Sequence, residues 1–127
     1  MVCGPLVMNR GRSNQSRGHE GERIAADYLI DQGLRILARN YRYDQGEVDL
    51  VCEDGDELVF VEVKTRTSRA FGEPEEAVTE SKQEQLRKVA EGYCQEFCLD
   101  DKFYRFDIVT VMMEGGKSII RHFHDAF

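Results

Sequence analysis

The run Leu58-Val59-Phe60-Val61-Glu62-Val63-Lys64 places an acid and a lysine in a stretch otherwise suited to a protein interior. Two charges among so many apolar residues need a chemical reason, because taking an ion out of water is costly unless it is paired or bound. Side chains alternate along a strand, so Glu62 and Lys64 share one face. An earlier run, Glu47 to Cys52, carries Asp49 at its centre. It is joined to the first run by Asp54-Gly55, a pair tolerant of the positive φ of a hairpin turn. Folding back sets Asp49 beside Glu62 and Lys64. Two carboxylates a few ångströms apart repel, an arrangement that suits a hard divalent cation such as Mg²⁺ or Mn²⁺ taking their oxygens. The lysine then stabilises anionic charge or orients an attacking water.

Acid, any residue, lysine is a weak pattern. It occurs three times, as Glu62/Lys64, Glu80/Lys82 and Asp100/Lys102, where chance alone would give about one. Context separates the first pair from the others: it alone lies in an apolar strand, behind a second strand with a central aspartate. Glu80/Lys82 straddles a helix start and Asp100/Lys102 sits in a polar loop.

The elements that must hold these residues follow from periodicity. Ile24, Ala25, Tyr28 and Leu29 recur at helical spacing, which predicts a helix over about Glu20 to Gln32 ended by Gly33. Leu34 to Arg42 reads as a strand leading into an Asp44-Gln45-Gly46 turn, and Glu47 to Cys52 as the next strand. There Val48, Leu50 and Cys52 are expected on one face and Glu47, Asp49 and Val51 on the other. In the partner strand, Leu58 to Thr65, Val59, Val61 and Val63 oppose Leu58, Phe60, Glu62 and Lys64. A loop from Arg66 to Glu80, with Gly72 and Pro74, leads to Ser81-Lys82-Gln83-Glu84, a capping-box signature opening a second helix that ends near Cys98. Its apolar stripe is Leu86, Val89, Ala90, Tyr93 and Phe97. Phe103 to Met113 and Ser118 to Phe123, with Glu114-Gly115-Gly116 between them, complete the order α-β-β-β-α-β-β. A central mixed β-sheet flanked by two helices is the α/β layout that buries both helical stripes.

A chain of 127 residues, 41% of them hydrophobic, supports one core, read as a single α/β domain over residues 19–127 behind a flexible basic tail over 1–18. No apolar run is long enough to span a membrane. Seventeen basic against 24 acidic residues give a net charge of -7, which argues against indiscriminate polyanion binding. Arg10, Arg12 and Arg17 meet no acid in the tail, so the acid surplus falls on the rest. The start MVCGPLVM has no positive residue before its short apolar stretch and is followed by Asn9-Arg10-Gly11-Arg12, the reverse of a secretory signal, so a cytoplasmic location is expected. The four cysteines, sparsely spaced, are expected to be reduced thiols.

Gly21-Glu22, Arg39-Asn40-Tyr41-Arg42, Gly46-Glu47-Val48-Asp49-Leu50-Val51, Phe60-Val61-Glu62-Val63-Lys64-Thr65-Arg66 and Arg105-Phe106-Asp107 together resemble the YraN-like family of uncharacterised bacterial proteins, over about Gly18 to Phe127. That family in turn resembles the restriction-endonuclease-like superfamily, the PD-(D/E)xK nucleases, and is similar in proposed fold to archaeal Holliday-junction resolvases. The resemblance implies Asp49 and Glu62 as metal ligands, the Val63 carbonyl as a third, Lys64 as catalytic lysine and Glu22 as first-helix acid. It implies Mg²⁺ or Mn²⁺ as cofactor and DNA, branched or damaged, as substrate, with a homodimer left open. The proline usual before the first aspartate is absent; Val48 stands there.

Plainer readings stand beside these. Glu22 is placed to favour the positive end of its helix, and Asp49, Glu62 and Lys64 can form a cross-strand ion-pair network. Lys82 on the second helix, with Arg66 and Arg69 after the catalytic strand, are candidate phosphate contacts or else solvated charges. Asp107 is expected to pair with Arg105 or Arg121, or to cap a backbone amide. Cys94 and Cys98 with His122 and His124 would make a zinc set, at a spacing unlike that of zinc fingers. A nuclease, a catalytically dormant nucleic-acid-binding or scaffold protein, and a purely structural module are the three function classes that remain.

Overall fold

A computed structural model of the protein describes residues 16–66 and 78–127. The elements run α1 (Ser16–Asp31), β1 (Arg35–Tyr43), β2 (Gly46–Asp54), β3 (Glu57–Arg66), α2 (Glu80–Glu96), β4 (Phe103–Glu114) and β5 (Lys117–Phe123). The order expected from periodicity is the order observed. Residues 1–15 of the expected tail, the Gly72 and Pro74 loop and Arg69 lie outside the described residues.

The five strands form one sheet in the order β1-β2-β3-β4-β5. Every neighbouring pair is antiparallel except β3 and β4, which are parallel. A parallel pair needs a crossover, and α2 supplies it. The alternation of β3 sorts its side chains between two cores. On one face Val59 and Val61 join Leu50, Cys52, Val109 and Val111 against Ala25, Ala26 and Leu29 of α1. On the other, Leu58 and Phe60 join Phe106 and Ile108 against Leu86, Val89, Ala90 and Tyr93 of α2. Each buried Val, Leu, Ile or Phe among them contributes about 1.5–3 kcal/mol, so these two apolar layers fix where each helix sits on the sheet.

α1 begins at Ser16 rather than Glu20 and ends as its sequence implies. Gly33 takes φ 99°, its N–H donates to the Ile30 carbonyl at 2.9 Å, and the Leu34 N–H reaches the Leu29 carbonyl at 3.0 Å. This pair of bonds closes a helix around a left-handed residue, the conformation glycine adopts without penalty. α2 ends at Glu96, just short of the expected Cys98, and Cys98 itself takes the left-handed position, with φ 58°.

Two expectations are corrected. The cap of α2 is Thr79, whose side chain accepts the Lys82 N–H at 3.2 Å, not Ser81. Val78 is anchored in the α2-side core, so the chain enters the helix immediately after it and the next hydroxyl becomes the cap. Val48 also does not share a cluster with Leu50 and Cys52: it packs with Val51 on the α2 side. β2 loses its alternation at Asp49, between them.

Candidate functional site

The loss of alternation at Asp49 builds the site. The β2–β3 register ends at the pair Leu50 and Val61. Beyond it, Asp49 Oδ2 accepts the Val63 N–H at 2.8 Å, so a side-chain carboxylate stands where strand pairing would have put a carbonyl. On the other side of β2 the register runs from Arg39 and Leu50 to Tyr41 and Val48, leaving Asn40 and Asp49 between the two pairs. The β2–β3 ladder ends at Asp49, while β1 keeps its register with β2 on either side of it.

α1 supplies Glu22. Its neighbour Gly21 is buried against β3, where a Cβ would collide with the Thr65 side chain, so the missing Cβ lets the helix approach closely enough. Glu22 Oε1 accepts from Asn40 Nδ2 at 3.1 Å and lies 3.9 Å from His19 Nδ1. Burial, the charge of Asp49 and a hydrogen bond shared with it push the Glu22 carboxyl up to about 7.

β3 supplies Glu62 and Lys64. Glu62 is buried, with Lys64 Nζ at 3.6 Å and Lys82 Nζ at 3.9 Å, both from Oε2. Its Oε1 is buried with no hydrogen-bond partner. Burial and the Asp49 charge push Glu62 up to about 7, against the pull of the two lysines. Asp49 is raised as well, because burial outweighs the Val63 amide. Lys82 reaches the cluster from the first turn of α2, set by the Thr79 cap. The structure thus brings Glu22, Asp49, Glu62, Lys64 and Lys82 together. Val63 takes part through its backbone, Arg66 closes β3, and Arg69 lies outside the described residues.

The donor set is oxygen alone, which suits Mg²⁺ or Mn²⁺ rather than a softer metal. A buried unsatisfied oxygen costs about 1–3 kcal/mol, and a hard cation would engage the bare Glu62 Oε1. The chemistry of this donor set suits such an ion. Sequence reasoning missed Asn40 and His19 as partners of Glu22. The available signal at position 40 is that asparagine is among the few residues that tolerate a left-handed backbone inside a strand.

A second polar group lies on the α1 side. Asp107, fully buried, accepts from Arg105 at 3.0 and 3.2 Å, from His122 Nε2 at 2.8 Å and from the Asp125 N–H at 2.9 Å. The expected pairing with Arg105 and with a backbone amide is therefore present. His122 Nδ1 lies 3.3 Å from the Tyr28 hydroxyl, and its ring stacks on His124 at 3.8 Å. The ligand atoms of Asp107, His122 and His124 lie within 4.8 Å of one another, so this group could hold a metal ion. The zinc set with Cys94 does not assemble: Cys94 packs on the α2-side core, whereas His122 meets Tyr28 of α1. Among the described residues no helix is long and apolar enough to cross a membrane.

Comparison with known proteins places the chain. It is 47% identical over 114 residues to a UPF0102 protein of Syntrophomonas wolfei, covering 90% of this chain and 99% of that one. It is 45% identical over 125 residues to a UPF0102 protein of Trichlorobacter lovleyi, covering 97% and 96%. Among solved structures it is similar to SfsA of Pyrococcus furiosus in complex with Ca²⁺, with a TM-score of 0.37 and 12% identity over 94% of this chain and 74% of that one, a likeness too slight to carry an argument. The description "Uncharacterised protein family UPF0102" matches residues 21–111, a span containing Glu22, Asp49, Glu62, Lys64 and Lys82. With that span, and with 45–47% identity over nearly the full length of these relatives, the chain belongs to the uncharacterised protein family UPF0102.

Proposed function

We propose that this protein is a metal-dependent endonuclease of the restriction-endonuclease-like kind, hydrolysing phosphodiester bonds in DNA, with branched or damaged DNA as the substrate class. The observation that carries the reading is the bare, buried Oε1 of Glu62 beside two further carboxylates. Buried polar atoms are ordinarily hydrogen-bonded, yet here both lysines stand on Oε2 and leave Oε1 bare. Acids whose protonation is pushed toward neutrality by burial and by one another mark sites of chemistry.

In this reading Asp49, Glu62 and the Val63 carbonyl hold Mg²⁺ or Mn²⁺, which when bound supplies Lewis-acid stabilisation of charge on a phosphoryl oxygen. Asp49 is kept in place by the Val63 N–H. Lys64 Nζ offsets the negative charge that grows on the phosphate as the bond breaks. Glu22, whose carboxyl is raised in the metal-free protein by burial and by Asp49, is placed to take up or release a proton at its own oxygens, as a general acid or base does. Lys82, which reaches the same Glu62 oxygen as Lys64 from α2, is placed to meet a neighbouring phosphate, and Arg66 at the end of β3, with Arg69 by its place in the sequence, are further candidate backbone contacts. The working compartment in this reading is the cytoplasm.

The test is a panel of linear, flapped and four-way DNA substrates. The protein is expected to cut at least one in Mg²⁺ or Mn²⁺ and to stop on addition of EDTA, while Asp49→Ala and Lys64→Ala stay folded and inactive. Metal-loaded protein that cuts none of them favours the second reading, a dormant nucleic-acid-binding or scaffold protein on the same fold. The surplus of 24 acids over 17 bases lends that alternative its support.

A further inference from the structure

Asn40 lies inside β1 with φ 50°, in the left-handed region. Strands exclude that conformation for most residues; glycine accepts it freely and asparagine tolerates it. If only the backbone mattered, glycine would serve best. The asparagine adds an amide, and that amide reaches Glu22 Oε1 at 3.1 Å in a part-buried contact. In the β1–β2 register Asn40 also falls opposite Asp49, between the pairs Arg39 with Leu50 and Tyr41 with Val48.

We propose that Asn40 is a positioning residue of the carboxylate cluster: its left-handed backbone aims the side-chain amide at Glu22 and holds that carboxylate toward Asp49. This rests on the metal-dependent reading above and adds to it the element that orients the α1 acid. The amide is neutral, which is the point of using it. A lysine or arginine at this position would orient Glu22 equally well and would cancel the charge that a cation needs. The amide fixes direction and leaves the cluster anionic. Strain retained at such a position, with a directed side-chain contact as its result, is typical of functional sites. Partners that orient a site from outside it are also known to set its metal affinity.

Asn40→Gly separates the two roles of the residue, because it keeps the backbone conformation and deletes the amide. The melting temperature is expected to be unchanged or raised, while Mn²⁺ affinity, measured by calorimetry, falls about tenfold or more. In a Glu22→Gln background the same substitution is expected to cost nothing further, since the two residues act as one unit. A readout that needs no metal accompanies it: the Asn40 side-chain amide cross-peaks in ¹⁵N NMR spectra should shift when Glu22 becomes Gln. Unchanged Mn²⁺ affinity in Asn40→Gly, additive losses in the double variant, or a large fall in melting temperature would each overturn the positioning role. A wild-type protein that takes up no Mn²⁺ overturns the metal-dependent reading instead. The amide cross-peaks then decide the contact alone, their shift upholding it and their indifference overturning it.

Discussion

Asp107 and Glu62 occupy neighbouring positions on the parallel pair β3 and β4, where Asp107 is level with Val61 and Glu62 with Ile108. Both are buried carboxylates with cations close by, and they end in opposite states. Asp107 receives Arg105, His122 and the Asp125 amide. Burial alone would raise its pKa, yet these donors outweigh burial and hold it below the ordinary value. Glu62 has two lysines on one oxygen and none on the other, and it is pushed up to about 7. Neither residue type nor depth separates the two. The number and direction of donors does, because a carboxylate keeps its charge in the interior only where hydrogen bonds replace water. One acid is built into the fold. The other is left wanting a partner.

The sharpest way to break this contrast is to remove Asp107. Asp107→Ala strips Arg105 of its buried partner, leaving it the more exposed Asp54 and Glu57 at 3.3 and 3.0 Å, and frees His122 Nε2 and the Asp125 amide. Removing one member of a buried pair costs about 3–5 kcal/mol, which for a chain of this size lowers the melting temperature by about 10 °C or more. Thermal unfolding checks it, and a fall of only a degree or two would erase the distinction between the regions.

The opposite outcome is expected in the other region. Asp49→Asn removes one of three mutually repelling carboxylates at nearly constant volume, so the metal-free protein should melt at the same temperature or higher. The variant should lose the stabilisation that Mn²⁺ gives wild type, which at ten times the dissociation constant is about 1.4 kcal/mol, a shift of a few degrees. An ion-pair network would show the reverse, with a lower melting temperature and no response to Mn²⁺ in either form.

A further effect is in the pH dependence of metal-free stability, and its two limbs have opposite signs. Glu22 and Glu62 are raised from an ordinary 4.5 to about 7, so between those values the folded state binds more protons than the unfolded one. Stability is then full below about pH 4.5 and declines as pH rises through 7. Asp107 is lowered from an ordinary 3.8, so its contribution is present above that value and lost as pH falls through its folded pKa. Denaturant unfolding across pH 3 to 8 should resolve both limbs. Glu22→Gln with Glu62→Gln should flatten the neutral limb alone, and a neutral limb that survives the double variant would show that these acids do not carry it.

Much of this was legible in the sequence. Glu62 and Lys64 stood out because they interrupt an apolar strand, and the period of two placed them on one face. Gly33 ended α1 as its conformational freedom implies, and the five residues of the apolar stripe of α2 all joined one core. The cap of α2 was misplaced because Ser81 and Thr79 are equally good caps locally; the burial of Val78 selects between them, and that depends on residues far away in the chain. Asn40 went unread for the same kind of reason. Its left-handed backbone is allowed by its type, while its partner Glu22 belongs to another element.

The sequence by itself determined which residues form strands and helices, which faces are apolar, and that an acid and a lysine share one face of β3. Alternation and helical spacing are local properties of the chain, so face and period depend only on neighbouring residues. Only the tertiary structure decided that β2 parts from β3 at Asp49, that Gly21 lets α1 bring Glu22 to Asp49, and that Asp107 is saturated by donors where Glu62 is not. Those outcomes depend on distances between residues remote in sequence. A carboxylate's charge in the interior is set by such distances, since each nearby donor or acid shifts it by an amount that its own neighbours in the chain do not specify.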